Sequence, residues 1–217
     1  MILAVSLSVS MCFAQTGREK NYRFTFLGGV GLSGNIKNIY TEYYTNPDPP
    51  EQPLFVTVTA NRKIAFGIGM RFEYNFRKKL SYSISGIMLD EGFGLTIKQR
   101  MTDNSIITLR DENGRLYFCL PVEVFYRFIN NDGTSLYLKS GVSVDLNLHQ
   151  NYNYNRIGSS VIAGIGMSFQ GNDNFAISIE PGVRYALLNY SEEIQFVPNQ
   201  LDNYKPLYFG LTVCLSQ

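Results

Sequence analysis

The chain contains one histidine, and this residue is the first candidate for acid–base chemistry. A hydrolase needs a nucleophile, a general base and a group that orients the base, all within hydrogen-bonding reach. His149 is followed by Gln150 and Asn151, so the spacing His-x-Ser is absent. We therefore interpret His149 as a polar residue at the base of a loop, and we predict no catalytic residue. One histidine and scattered carboxylates also predict neither a metal site nor a cofactor.

Eight charged side chains fall on the polar side of segments in which apolar and polar residues alternate. Four are acidic and four are basic: Arg71, Glu73, Glu123, Arg127, Lys139, Asp145, Glu180 and Arg184. The interior of a small barrel is filled by side chains, and buried charges need partners. The balance of signs therefore predicts an ion-pair network in the interior, in which Glu123 and Lys139 lie one diagonal step apart on adjacent strands.

Five tyrosines are concentrated in two predicted loops: Tyr40, Tyr43, Tyr44, Tyr152 and Tyr154. One hypothesis makes them a recognition surface, because aromatic side chains anchor many binding sites. The alternative is that they pack the loops against each other or lie at the level of lipid headgroups.

Two other sets of residues have a structural interpretation. Cys119 and Cys214 fall on inward positions of strands that lie far apart around a barrel, which predicts two free thiols rather than a disulfide. The glycine-rich run from Gly28 to Gly31 is not followed by Lys-Ser or Lys-Thr, so it indicates a strand rather than a phosphate-binding loop.

The stretch from Leu116 to Leu148 contains four of the eight charges and shows how they are positioned. Apolar residues occupy every second position: Leu116, Phe118, Leu120, Val122, Val124, Tyr126, Phe128, Leu136, Leu138, Val142, Val144, Leu146 and Leu148. A period of two over such a length predicts two long strands and excludes an amphipathic helix. The turn residues Asn130 to Gly133 join them into a hairpin.

The same alternation predicts six further strands. They cover Tyr22–Leu32, Lys63–Phe76, a segment starting at Leu80, Ile157–Phe169, Phe175–Leu187 and Leu207–Ser216. Short turns follow the second, fourth and sixth strands, and long segments follow the others: 33–62, 98–115, 149–156 and 189–206. Near Asp90 the apolar set shifts to Phe93, Leu95 and Ile97, which predicts a β-bulge. Residues 98–115 are ambiguous and include a candidate hairpin above the barrel.

Strands of about 13 residues exceed the soluble norm of about 5–6 and suffice for a tilted strand across a bilayer, which needs about 9–11. The bulky face is apolar and the other face is polar and charged, as in a transmembrane barrel. The predicted fold class is an all-β, membrane-spanning, antiparallel up-and-down β-barrel with eight strands, short periplasmic turns and long extracellular loops. The length of 217 residues fits a single domain. The net charge of +1 does not favour nucleic-acid binding. Residues 1–15 predict a cleaved signal peptide, which leaves 16–217 as the barrel domain.

Two segments carry a resemblance to a known family. Leu120–Val122, Tyr126–Phe128 and Leu136–Val142 in the central hairpin, with the terminal KPLYFGLTVCLSQ, resemble PorT-like outer-membrane barrels of the Bacteroidetes type, which are OmpA-type eight-stranded barrels. The resemblance implies a location in the outer membrane of a Gram-negative cell and a functionally mixed family. The chain departs from such barrels at its end, because Leu215-Ser216-Gln217 replaces the usual terminal aromatic residue.

We therefore expect a non-enzymatic outer-membrane protein with a structural or binding role, or an accessory to secretion or envelope assembly, acting through its extracellular loops. The alternative is a narrow, porin-like channel for ions or small solutes, and an outer-membrane lipid hydrolase ranks third. The expected partners are outer-membrane lipid and lipopolysaccharide, the barrel-assembly machinery and an envelope or secretion protein. We expect a monomer whose two termini are periplasmic.

Overall fold

The computed structural model describes residues 21–35, 39–43, 55–91, 93–101, 103–113, 116–131, 133–148, 157–172, 175–187 and 206–216. These residues form twelve strands: β1 (Tyr22–Asn35), β2 (Ile39–Tyr43), β3 (Phe55–Asn61), β4 (Lys63–Arg77), β5 (Leu80–Asp90), β6 (Phe93–Arg100), β7 (Ile106–Asn113), β8 (Leu116–Asn131), β9 (Thr134–Asn147), β10 (Ile157–Asn172), β11 (Phe175–Ala186) and β12 (Pro206–Ser216). Over the same ranges, no helix is long and apolar enough to cross a membrane.

Eight of the strands close into an antiparallel barrel in the order β1-β12-β11-β10-β9-β8-β5-β4. β1 completes the closure, because it pairs with β12 on one side and with β4 on the other. Each pair along the wall is antiparallel, and most neighbours in the wall are also neighbours in sequence. The predicted all-β fold with an eight-stranded barrel is therefore confirmed.

Residues that alternate along the sequence point alternately to the interior and to the exterior of the barrel. On β8, Tyr117, Glu123 and Phe125 are buried, whereas Val122 and Val124 are exposed. The other wall strands follow the same rule, because successive side chains of a strand point to opposite faces. The wall thus turns its large apolar side chains outward and its charged ones inward, which is the inverse of a soluble barrel.

The two ends of the barrel differ in their connections. Short turns join β4 to β5, β8 to β9 and β10 to β11 at one end, which we call the short-turn end. Gly133 closes the β8–β9 turn with a φ of 88°, a left-handed conformation that glycine adopts without steric cost. The first residue of β1 and the last residue of β12 lie at this end, since Tyr22 pairs with Tyr74 and Ser216 with Ala176. The longer connections emerge at the opposite end, the long-loop end.

A second antiparallel sheet, in the order β2-β3-β6-β7, lies in two of the connections of the long-loop end. β2 and β3 fall within 33–62, which the sequence predicts to be a loop. β6 and β7 form the hairpin that was a candidate at 98–115, but the hairpin begins earlier, at Phe93. Pairing between β3 and β6 joins the two hairpins into one sheet.

The prediction of a β-bulge near Asp90 is wrong, because the change in alternation there has a different cause. β5 ends at Asp90, and the apolar set of Phe93, Leu95 and Ile97 belongs to β6 of the second sheet. Leu89 on β5 and Glu91 just after it continue the inward alternation, and both are buried. The apparent shift in alternation therefore marks the place where the chain leaves the barrel.

The hairpin turn between β6 and β7 is ordered by side-chain hydrogen bonds. The Ser105 amide donates to Asp103 Oδ1 at 2.8 Å, and Arg100 Nη2 donates to Asn104 Oδ1 at 2.7 Å. Asn104 has a φ of 64°, which asparagine tolerates better than most residues. The hydrogen bonds from the Ser105 side chain and amide lower the pKa of the exposed Asp103 carboxyl.

A matched pair of glycine substitutions tests the tight packing of the wall. A Cβ on Gly141 would overlap the Val122 carbonyl oxygen and lie 2.8 Å from the Glu123 Cα, whereas a Cβ on Gly28 would meet nothing within 4 Å. We expect Gly141→Ala to lower the free energy of unfolding by about 1–3 kcal/mol, since backbone cannot move aside cheaply. Gly28→Ala is the control with little effect. Urea unfolding in detergent measures both, and equal effects would contradict the described packing.

Candidate functional site: the charged interior of the barrel

The charged side chains inside the barrel form three clusters along its axis. We define the lower cluster, nearest the short-turn end, as Glu73, Asn75, Ser81 and Arg127. The middle cluster consists of Arg71, Glu123, Tyr137, Lys139 and Glu180. The upper cluster, nearest the long-loop end, consists of Ser33, Glu91, Ser143, Asp145, Ser160 and Arg184. The charged members of all three are buried.

Glu180 is the centre of the middle cluster. Arg71 binds it with two parallel hydrogen bonds, Nη1 to Oε1 at 2.6 Å and Nη2 to Oε2 at 2.8 Å. Lys139 Nζ donates to Oε2 at 2.7 Å, and the Tyr137 hydroxyl donates to Oε1 at 2.7 Å. A carboxylate held by a bidentate arginine and two further donors is fixed in position as well as neutralised.

The pair of Arg71 and Glu180 crosses the interior of the barrel. Arg71 is on β4 and Glu180 is on β11, and these strands are separated in the wall by β1 and β12. The contact therefore joins distant parts of the wall through the lumen. The Arg71 guanidinium carbon also lies 5.0 Å from the centre of the Phe125 ring, a cation–π arrangement.

Glu123 completes the middle cluster with looser contacts. The β8–β9 register pairs Phe125 with Lys139, which leaves Glu123 and Lys139 on a diagonal. Their Nζ and Oε1 atoms are 3.3 Å apart, and Arg71 Nη2 is 3.5 Å from Oε2 of Glu123. Two buried cations and two buried carboxylates thus balance in the middle cluster.

The lower cluster ties β4, β5 and β8 together. Arg127 Nη2 contacts Glu73 Oε1, and the Ser81 hydroxyl donates to the same oxygen at 2.6 Å. Arg127 Nη1 also donates to the Asn75 side-chain oxygen at 3.3 Å. The lower cluster is therefore one direct pair of a cation and a carboxylate, and neutral side chains form hydrogen bonds to both members of the pair.

The upper cluster sets one cation against two carboxylates. Arg184 Nη2 is 2.7 Å from Asp145 Oδ2, and its Nη1 is 3.7 Å from Glu91 Oε2. The Ser33 hydroxyl donates to Glu91 at 2.9 Å, and the Ser143 hydroxyl donates to Asp145 at 2.6 Å. Because Glu91 lies two residues before the start of β6, this cluster lies close in sequence to the base of the second sheet.

Two tyrosine rings inside the barrel lie against glycines. A Cβ on Gly166 would overlap the ring of Tyr137, and a Cβ on Gly31 would come within 2.6 Å of the ring of Tyr208. Gly210 is covered by the same Tyr208 ring. The missing side chains make room for aromatic rings in a lumen that is too narrow to hold them otherwise.

A cavity of about 100 Å³ lies between the middle and upper clusters. Both charged and apolar side chains line it, among them Arg71, Glu123, Lys139, Leu27, Leu89 and Cys119. The space is large enough for several water molecules, which a polar wall can bind.

All eight charged residues named from the sequence lie in these clusters, and the ion pairs bring them together in the groups just described. Sequence reasoning missed Glu91, Tyr137 and the serines. Glu91 could have been found by continuing the inward positions of β5 past Asp90, and Tyr137 by its place two residues before Lys139.

The remaining candidate residues from the sequence are five tyrosines, one histidine and two cysteines. Tyr40 and Tyr43 lie on β2, whereas Tyr44, Tyr152, Tyr154 and His149 lie outside the described residues. Cys119 and Cys214 are buried and free. Within the described ranges, no group of three or more His, Cys, Asp or Glu side chains is arranged to hold a metal ion.

Fold and interior together define the class: an antiparallel barrel with an apolar outer wall and a charged interior filled by side chains. Comparison with solved structures finds the outer membrane protein OprG from Pseudomonas aeruginosa, with 9% identity, a TM-score of 0.44 and coverage of 90% of this chain and 95% of that chain. Neisserial surface protein A (NspA) matches with 8% identity, a TM-score of 0.46 and coverage of 89% and 96%. A mutant of the monoaromatic hydrocarbon channel TodX matches with 8% identity, a TM-score of 0.23 and coverage of 92% and 90%.

At such identities and TM-scores these likenesses support no statement about activity or family. No protein-family model matches the chain, and no curated protein matches it. The resemblance to PorT-like barrels therefore stays a prediction.

The middle cluster predicts unequal effects for two substitutions at one contact. We expect Glu180→Gln to lower the free energy of unfolding by about 3–5 kcal/mol, because two buried cations lose their main counter-charge. Tyr137→Phe removes only one of four donors to Glu180 and should cost about 0.5–1.5 kcal/mol. Urea unfolding in detergent measures both variants. Similar losses for the two would contradict a central role for the Glu180 charge.

Proposed function

We propose that the chain is a non-enzymatic outer-membrane barrel whose lumen is sealed by its charge network and whose long-loop end binds a partner. The observation that carries the proposal is the contact of Arg71 and Lys139 with Glu180, which spans the lumen at its middle. A sealed barrel has no path for solutes, so its function must be performed at its ends.

The apolar outer wall supports placement in a bilayer. Each barrel strand has at least 11 residues, which matches the length that a tilted strand needs to cross. We assign the short-turn end and both termini to the periplasm, since short periplasmic turns and long external loops are typical of such barrels. The surrounding lipid and lipopolysaccharide and the barrel-assembly machinery are then necessary contacts.

The long-loop end supports the binding role. It carries a four-stranded sheet in addition to the barrel, and this sheet is anchored beside the upper cluster through Glu91. A rigid scaffold that displays connecting segments is the usual way in which barrels bind other molecules. The partner that we propose is an envelope or secretion protein, which agrees with the resemblance to PorT-like barrels. Tyr40 and Tyr43 on β2 are candidate contacts there.

A narrow channel is the second candidate, and the cavity of about 100 Å³ favours it. The cavity lies beside charged groups of the kind that hold water in a conducting path. The middle cluster borders this cavity, so the strength of its ion pairs decides between the two candidates.

Membrane integration is tested by extraction and gel mobility. We expect the protein to stay in the membrane fraction after alkaline washing, and to migrate faster on gels without heating because the closed barrel resists detergent. Circular dichroism of the detergent-solubilised protein should be rich in β-structure. Release of the protein into the soluble fraction would contradict the placement in a bilayer.

Conductance of Lys139 variants tests the seal. We expect the wild-type protein to pass little or no steady current in planar bilayers. Lys139→Ala leaves Glu123 and Glu180 with one fewer cation, so it should destabilise the barrel by about 3–5 kcal/mol if the pair is dry and should raise the current. Lys78→Ala, at an exposed turn position, is the matched control. A large, stable wild-type current that Lys139→Ala leaves unchanged would rule out the seal and favour the channel.

A further inference from the structure

The free edge of the second sheet has the features of a site for strand addition. We propose that it binds an extended segment of a partner protein, in which apolar and acidic residues alternate, as a fifth strand antiparallel to β7. The inference rests on the proposed function, because it names the site and the partner chemistry at the long-loop end.

β7 is an edge strand whose first half has little protection against pairing. Among the described residues it pairs only with β6. Ile106, Ile107 and Leu109 are exposed by 66%, 42% and 46%, and neither proline nor a charge interrupts the run from Ile106 to Leu109. Proteins that avoid edge pairing place such residues on the edge. The charged residues of β7 begin only at Arg110, so the part of the edge from Ile106 to Leu109 offers its backbone donors and acceptors to an incoming strand.

The side chains around this edge select the partner. The register of β6 and β7 places Lys98, Arg100 and Arg110 on one face of the hairpin, and all three are exposed. Ile107 and Leu109 lie on the other face. An added strand sends alternate side chains to the two faces. Acidic side chains would therefore meet the basic face, and apolar ones would cover Ile107 and Leu109.

A second copy of the chain fits the edge less well. Two copies in one membrane have the same direction along the membrane normal, so β7 strands that extend along this normal would run parallel. Parallel pairing is slightly less stable than antiparallel pairing, which is the pattern throughout this sheet. Two identical faces, each with three cations and only Glu112 as an acidic residue, also complement each other poorly in charge. A separate acidic segment satisfies both requirements.

The binding experiment uses the full chain in lipid nanodiscs and three synthetic peptides of ten residues with blocked ends. One alternates valine and glutamate, one alternates valine and lysine, and one is the glutamate peptide with a central proline. We expect the glutamate peptide to bind at least about tenfold more tightly than the other two, measured by fluorescence anisotropy. Hydrogen exchange of the β7 amides should slow when it binds.

Variants of the edge separate this site from non-specific attraction. Ile107→Lys and Leu109→Lys should each weaken glutamate-peptide binding about tenfold or more, since lysine on an edge opposes strand addition. Asn130→Lys, at an exposed position near the short-turn end, is the charge-matched control and should not weaken binding. Combined Lys98→Glu and Arg110→Glu should reverse the preference toward the lysine peptide.

Several outcomes would overturn the inference. They are equal binding of the glutamate and lysine peptides, loss of binding in the Asn130→Lys control alone, no binding of any peptide, and self-association that protects β7 from exchange. A barrel that integrates into the membrane and conducts no current, yet binds no peptide, refutes strand addition and leaves the proposed function standing. A barrel that conducts current and binds the glutamate peptide supports strand addition and refutes the sealed lumen of the proposed function.

Discussion

The bidentate contact of Arg71 with Glu180 is the interaction on which the interior of this barrel depends. It joins β4 and β11 across the lumen, and Lys139 and Tyr137 complete the set of donors around the same carboxylate. Separating charges in a buried site is costly, because water cannot replace the lost partner. The barrel therefore keeps these side chains in one arrangement, and that arrangement occupies the space through which a solute would pass.

A narrow lumen also constrains the shape of the side chains that fill it. Tyr137 fits because Gly166 leaves room for its ring, and Tyr208 fits because Gly31 and Gly210 do so. These glycines are needed for the space that they leave in the interior and not for an unusual backbone conformation, because the wall at these positions is regular strand. The polar clusters and the glycine–tyrosine contacts work together: the rings bring hydroxyl groups into the lumen, and the ion pairs hold the strands at a fixed separation.

The long-loop end combines a buried anchor with an exposed edge. Glu91 contacts Ser33 and Arg184 inside the barrel and lies two residues before the start of β6 of the second sheet. The second sheet therefore begins close to the buried upper cluster, while β7 lies at an edge of the sheet among the described residues. A preorganised edge loses little conformational freedom when a strand is added to it, so binding there does not require the barrel to change.

The sequence by itself determined the barrel, because a period of two is a local property that each strand carries in its own residues. The inward charges and the central hairpin followed from the same alternation. It did not determine the second sheet, because Phe93, Leu95 and Ile97 alternate in the same way whether they continue a barrel strand or begin a new one. It also could not assign partners: Glu123 and Lys139 are close along a hairpin, whereas Arg71 meets Glu180 only after the wall has closed and brought β4 opposite β11. Contacts between residues distant in sequence depend on the register and closure of the whole barrel, and these only the tertiary structure decided.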